Sequence, residues 1–68
     1  RRVVGVPIKE HITRIRLSHA QMLLSNSDAK ILSIAMDSGF GSLSSFYEAF
    51  QSHLDTTPSV FRRDARRL

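Results

Sequence analysis

Cysteine is absent from this 68-residue chain, which excludes a disulfide framework and a thiolate zinc site as sources of stability. Long apolar runs are absent as well: no stretch approaches the roughly 18 residues needed to span a bilayer. The opening residues Arg1-Arg2-Val3-Val4-Gly5 are charged but lead into no apolar segment of signal-peptide length. These absences suit a cytosolic protein, cytoplasmic in location. Strand patterning is missing too, since apolar and polar residues nowhere alternate with period two over a useful length. A chain this short buries only about 60% of its unfolded surface, so its core must be economical or completed by a partner.

What is present is an uneven distribution of charge. Residues 1–16 hold Arg1, Arg2, Lys9, Arg14 and Arg16 against Glu10, and residues 62–67 hold Arg62, Arg63, Arg66 and Arg67 against Asp64. Between them only Lys30 opposes Asp28, Asp37, Glu48 and Asp55. Two basic ends bracketing a slightly acidic middle favour polyanions that touch the ends. Two solvated helix faces would give the same composition.

Punctuation at Gly5-Val6-Pro7, Ser25-Asn26-Ser27-Asp28, Gly39-Phe40-Gly41-Ser42 and Asp55-Thr56-Thr57-Pro58 divides the chain into helical stretches joined by short turns. The first helix is expected from about Pro7 to Leu24, with Pro7 near its first position. Ile8, Ile12, Ile15, Met22 and Leu23 share one face of its wheel; Leu17, Ala20 and Leu24 lie on another. A helix apolar over so much of its circumference is packed on two sides. The second helix is expected over Lys30–Ser38 with Ile31, Ile34 and Ala35 inward, ended by Gly39. The third should run from Ser42 or Leu43 to Leu54, with Phe46, Phe50 and Leu54 as its core stripe. Its start has two candidates, an N-cap at Ser42 or a capping box from Ser45 to Glu48. Thr57 and Pro58 open a fourth helix that carries Phe61 into the core. The expected fold is all-α and homeodomain-like: a long helix followed by three shorter ones.

Residues 31–54 have helix-turn-helix anatomy. A small residue, Ala35, stands where a second helix would cross closely, Gly39 makes the turn, and the next helix is apolar inward and polar outward. Such a unit can lay its second helix in the DNA major groove. A plain helical hairpin shares this turn chemistry and stays open on pattern alone.

The run Arg16-Leu17, Ala20, Leu23-Leu24, then Ile31-Leu32-Ser33-Ile34-Ala35-Met36-Asp37-Ser38-Gly39-Phe40, Ser44-Ser45-Phe46, Ala49-Phe50 and Thr57-Pro58-Ser59-Val60-Phe61-Arg62 resembles the DNA-binding domain of the AraC/XylS family of bacterial transcriptional regulators. That family's domain has two helix-turn-helix units joined by a long helix. The resemblance implies that residues 1–6 end a first unit, residues 7–26 are the joining helix, and residues 27–68 are the second unit with its closing helix. The first unit and a separate effector domain are expected outside this chain. The partner implied is double-stranded DNA, with RNA polymerase as a second partner; no cofactor or membrane is implied.

On that resemblance Leu43, Ser44, Tyr47, Glu48 and Gln51 face the bases, and Ser42, Arg62 and Arg63 hold phosphates. Gln51 could pair bidentately with adenine, Glu48 could accept from cytosine N4, and Leu43 could touch a thymine methyl. The wheel agrees in part: Ser44, Glu48 and Gln51 lie opposite Phe46 and Phe50, with Tyr47 on the flank. The chain departs from the family at Asp55, where glycine is frequent, and at Lys30, where a capping Ser or Thr is frequent. The recognition helix has no Lys or Arg, so this half is expected to bind weakly alone.

Catalysis finds little support: there is no Gly-x-Ser-x-Gly nucleophile elbow, and His11, His19 and His53 lack metal-ligand spacing. Phe40, Phe46, Phe50 and Phe61 read as core rather than as a stacking platform for single strands. The alternative to a DNA reader is a protein-interaction or dimerisation module using the Ile8/Ile12/Ile15 face.

Overall fold

The computed structural model describes residues 8–66. They form α1 (Ile8–Asn26), α2 (Ile31–Asp37), α3 (Leu43–Leu54) and α4 (Pro58–Ala65). No strand occurs among the described residues, which are all-α as expected. The expectations placed on residues 1–6 and on Pro7 lie outside the described residues.

α1 divides into two faces. Leu17, Ala20 and Leu24 are buried, and α1 touches each of the other three helices. Ile8, Ile15 and Met22 on the other face are 77%, 57% and 55% exposed, and Ile12 is 40% exposed. No residue between 8 and 16 is buried, so the first turns of α1 project beyond the core. Ser27 closes the helix, its amide and hydroxyl both donating to the Leu23 carbonyl at 3.0 and 2.8 Å.

α2 is shorter than the expected 30–38. Lys30 is its N-cap, in an extended conformation with no side-chain cap bond, because lysine has no acceptor to offer the first amides. At the other end the Phe40 amide donates to the Ala35 carbonyl and the Gly39 amide to that of Met36, each at 3.0 Å. This is the Schellman arrangement, which needs a left-handed residue after the cap. Gly39 supplies it with φ +97°, and a Cβ there would lie 3.0 Å from Arg16 Nε. The turn therefore favours glycine for its φ, while the exposed Arg16 side chain laid over it could shift to admit a Cβ.

Ser42 decides where α3 begins. It is extended, and its Oγ accepts from the Ser45 amide at 3.1 Å. Ser45 is thus the third helical residue, and the capping box that would have started the helix at Ser45 is not used. Asp55 ends α3 in the left-handed region (φ 55°, ψ 36°). Thr57 caps α4, accepting from the Val60 amide at 3.2 Å, and Pro58 follows at a position where no amide hydrogen is needed.

The core is Leu17, Ala20, Leu24, Ile34, Ala35, Phe40, Phe46 and Phe50. Four phenylalanines run through it in series, with ring centroids 5.1 Å apart from Phe40 to Phe46, 5.5 Å from Phe46 to Phe50 and 5.7 Å from Phe50 to Phe61. The tilted and edge-on geometries add to the burial itself. Because the series links the turn, α3 and α4, Phe46→Ala should cost about 3–5 kcal/mol, comparable to the whole stability of a domain this size. Thermal unfolding followed by circular dichroism should then show no cooperative transition at 37 °C.

Candidate nucleic-acid interface

Ala35 has no exposed surface, and the small side chain lets α2 and α3 approach closely. The inward side of α3 is held by Phe46 and Phe50, both fully buried. Ser44, Glu48 and Gln51, spaced i, i+4 and i+7, are all exposed and form one strip along the outer side. Leu43 is 39% exposed. Tyr47 is half-buried and meets the Phe46 ring edge-on at 6.2 Å, which puts it on the flank of the strip. Ser45 and Ser52 are exposed as well and widen the polar face beyond the residues singled out from sequence.

At the start of α3, Ser42 is exposed while its Oγ caps the helix. Its hydroxyl hydrogen and the unpaired amides of the first turn remain available to an anion. At the other end Gln51 Nε2 donates to Asp55 Oδ1 at 3.2 Å. The sequence reading used Asp55 only as a turn residue; the i, i+4 spacing of a Gln and an Asp was the signal available for this contact.

Arg62, expected from the sequence to hold phosphate, also makes contacts within the protein. Its Nε donates to the Leu24 carbonyl at 3.2 Å, and its Nη2 to the carbonyls of Ser27 and Ala29 at 3.1 and 2.8 Å. The guanidinium thereby closes the C-terminal end of α1 and the turn into α2, where carbonyls lack helical partners, with its Nε and Nη2 engaged by protein. Arg66 acts beside it, donating to the Ser27 carbonyl and pairing with Asp28 Oδ1 at 2.8 Å. The C-terminal basic cluster is therefore partly structural. Arg63 differs: it is exposed, with only a loose 3.7 Å contact to the adjacent Asp64.

In the N-terminal cluster, Arg14 lies 3.3 Å from Glu10 in an exposed pair, an arrangement of little energetic weight. A cleft of about 300 Å³ between α1 and the end of α3 is lined by Arg14, Leu17, Ser18, Gln21, His53 and Leu54. Among the described residues no three His, Asp or Glu side chains cluster to hold a metal, and no helix is long and apolar enough to cross a membrane.

A family model described as a helix-turn-helix domain matches residues 1–64, covering α1, α2 and α3 and most of α4. The chain belongs to the AraC/XylS family of helix-turn-helix regulators. It is 39% identical over 62 residues to the melibiose operon regulatory protein of Escherichia coli, covering 91% of this chain and 20% of that protein. It is 34% identical over 62 residues to the HTH-type transcriptional activator AarP of Providencia stuartii, covering 91% of this chain and 46% of AarP. The HTH-type transcriptional regulator ExsA of Pseudomonas aeruginosa is 39% identical over 61 residues, covering 90% of this chain and 22% of ExsA. The chain thus spans about a fifth to a half of these relatives. No solved structure matches it significantly. The AraC/XylS relatives are transcriptional regulators rather than enzymes, and the helix-turn-helix supports a DNA-binding role in transcription regulation.

The two arginines separate by experiment. Arg62→Ala leaves half-buried carbonyls without a charged donor and should lower stability by about 2–3 kcal/mol. Arg62→Lys should not restore it, since lysine lacks the planar fork that reaches several carbonyls at once. Denaturant titration of both variants checks this.

Proposed function

We propose that α3 lies in the major groove of double-stranded DNA and reads base sequence there, with Leu43, Ser44, Tyr47, Glu48 and Gln51 toward the bases. Ser42, the first amides of α3 and Arg63 face phosphates. The observation that carries this reading is the polar strip Ser44–Glu48–Gln51 on the exposed side of a helix whose other side is locked into the core. A rigid element presenting donors and acceptors along one edge is what readout of base edges requires. Gln51 suits adenine, Glu48 accepts from cytosine N4, and Leu43 meets a thymine methyl.

α3 contains no lysine or arginine, and Glu48 repels phosphate. Much of the affinity therefore comes from elsewhere, since phosphate neutralisation dominates DNA binding. In this reading residues 7–26 join two helix-turn-helix units, residues 1–6 end the first, and residues 27–68 are the second. The whole protein works in the cytoplasm on the nucleoid. That the relative AarP is a transcriptional activator favours RNA polymerase as a further partner.

Selection from a random duplex pool at moderate salt should enrich a short half-site, and Gln51→Ala or Ser44→Ala should erase the preference at one or two of its positions. Binding without any enrichment would overturn sequence reading by α3. In the same reading Arg63→Ala should reduce the salt slope of binding by about 1.

The exposed Ile8, Ile12, Ile15 and Met22 favour a second reading, in which this face of α1 is a protein-interaction surface. Sedimentation equilibrium would then show self-association that Ile12→Lys abolishes, with the selected DNA sequence unchanged. A monomer at every concentration would count against dimerisation.

A further inference from the structure

We infer that Asp55 is a specificity-determining residue that acts through Gln51, holding its amide in the orientation that accepts adenine and disfavours guanine. This rests on the proposed reading of bases by α3. Among the described residues Asp55 is the one non-glycine residue with positive φ, at 55°. A left-handed conformation is one that glycine adopts without strain. What Asp55 adds over glycine is a carboxylate, and that carboxylate accepts a hydrogen bond from Gln51 Nε2 at 3.2 Å. The same two residues are joined through the backbone, the Asp55 amide donating to the Gln51 carbonyl at 3.0 Å. The carboxylate is thus anchored one turn beyond the side chain that it orients.

The consequence follows from hydrogen-bond inventory. A glutamine amide has one acceptor end and one donor end of nearly equal shape, and a free side chain offers either order. With one Nε2 hydrogen held by Asp55, the nitrogen end points toward the C-terminus of α3 and one hydrogen remains. Adenine needs one acceptor for its N6 amino group and one donor for N7, which Oε1 and the remaining hydrogen supply. Guanine presents acceptors at both O6 and N7 and would need the two Nε2 hydrogens together. Asp55 therefore sets the order of the pair and removes the donor that guanine requires.

Charge and hydrogen bonding can be separated at this position. Asp55→Gly removes both the carboxylate and the left-handed strain. Asp55→Asn removes the charge but keeps an acceptor and a residue that tolerates the left-handed region. The test is binding of the chain to its selected duplex and to the same duplex with the adenine opposite Gln51 replaced by guanine. Nuclear magnetic resonance of the Gln51 side-chain amide without DNA accompanies it. Both variants should bind more tightly overall, because a negative charge near phosphates is gone. Asp55→Gly should lose about threefold of the adenine-over-guanine ratio and show a mobile Gln51 amide. Asp55→Asn should keep both. An unchanged ratio in Asp55→Gly, with the ratio lost in Gln51→Ala, overturns the role of Asp55 and leaves base reading by α3 intact. An unchanged ratio in Gln51→Ala, or no sequence preference in the unaltered chain, overturns the underlying reading and this inference with it.

Discussion

Phe46 and Phe50 lie one helical turn apart on α3, have no exposed surface, and stack edge-on in a series that begins at Phe40 and ends at Phe61. In so small a domain there is no second core to compensate for losing this one. Phe40 reaches the series because the turn at Gly39 is left-handed, and Phe61 reaches it because Thr57 and Pro58 start α4 at the right residue. The outward strip of α3 takes its rigidity from this inward contact. A side chain can report base identity only if the helix carrying it does not rotate or slide.

A second constraint ties the ends of the domain together. The carbonyl of Leu24 lies in the last turn of α1 and those of Ser27 and Ala29 between α1 and α2, so helical hydrogen bonding leaves them unpaired. Arg62 reaches all three from α4, and Arg66 adds Ser27 and Asp28. A charged, planar donor serves such a cluster better than several neutral ones. The arrangement holds α4 across the α1–α2 turn while the aromatic series holds it against α3. α1 then passes out of the core with one face packed and the other, from Ile8 to Met22, facing away.

Much of this was legible residue by residue. Thr57-Pro58 and Gly39 announced helix boundaries because each acts through groups within a few positions of itself. The spacing of Phe46, Phe50 and Leu54 showed which side of α3 is inward, because a helix repeats every 3.6 residues. Lys30 was harder: a residue without an acceptor gives no cap signal, so the start of α2 moved by one residue. The choice between Ser42 and Ser45 as the cap was also open, since both carry a hydroxyl and the decision depended on where the turn from Gly39 delivers the chain.

The sequence by itself determined the class of fold, the inward face of α3 and the family, because these rest on local propensity, periodicity and short-range caps. The two-sided packing expected of α1 is not found, since Ile8, Ile12, Ile15 and Met22 are exposed. Only the tertiary structure decided what the arginines do. Arg62 and Arg63 are adjacent and chemically identical, yet one donates to carbonyls 33 to 38 residues away and the other is exposed. A charge cluster in a sequence records how many cations there are. Which of them face inward depends on where unpaired carbonyls from a distant turn come to rest.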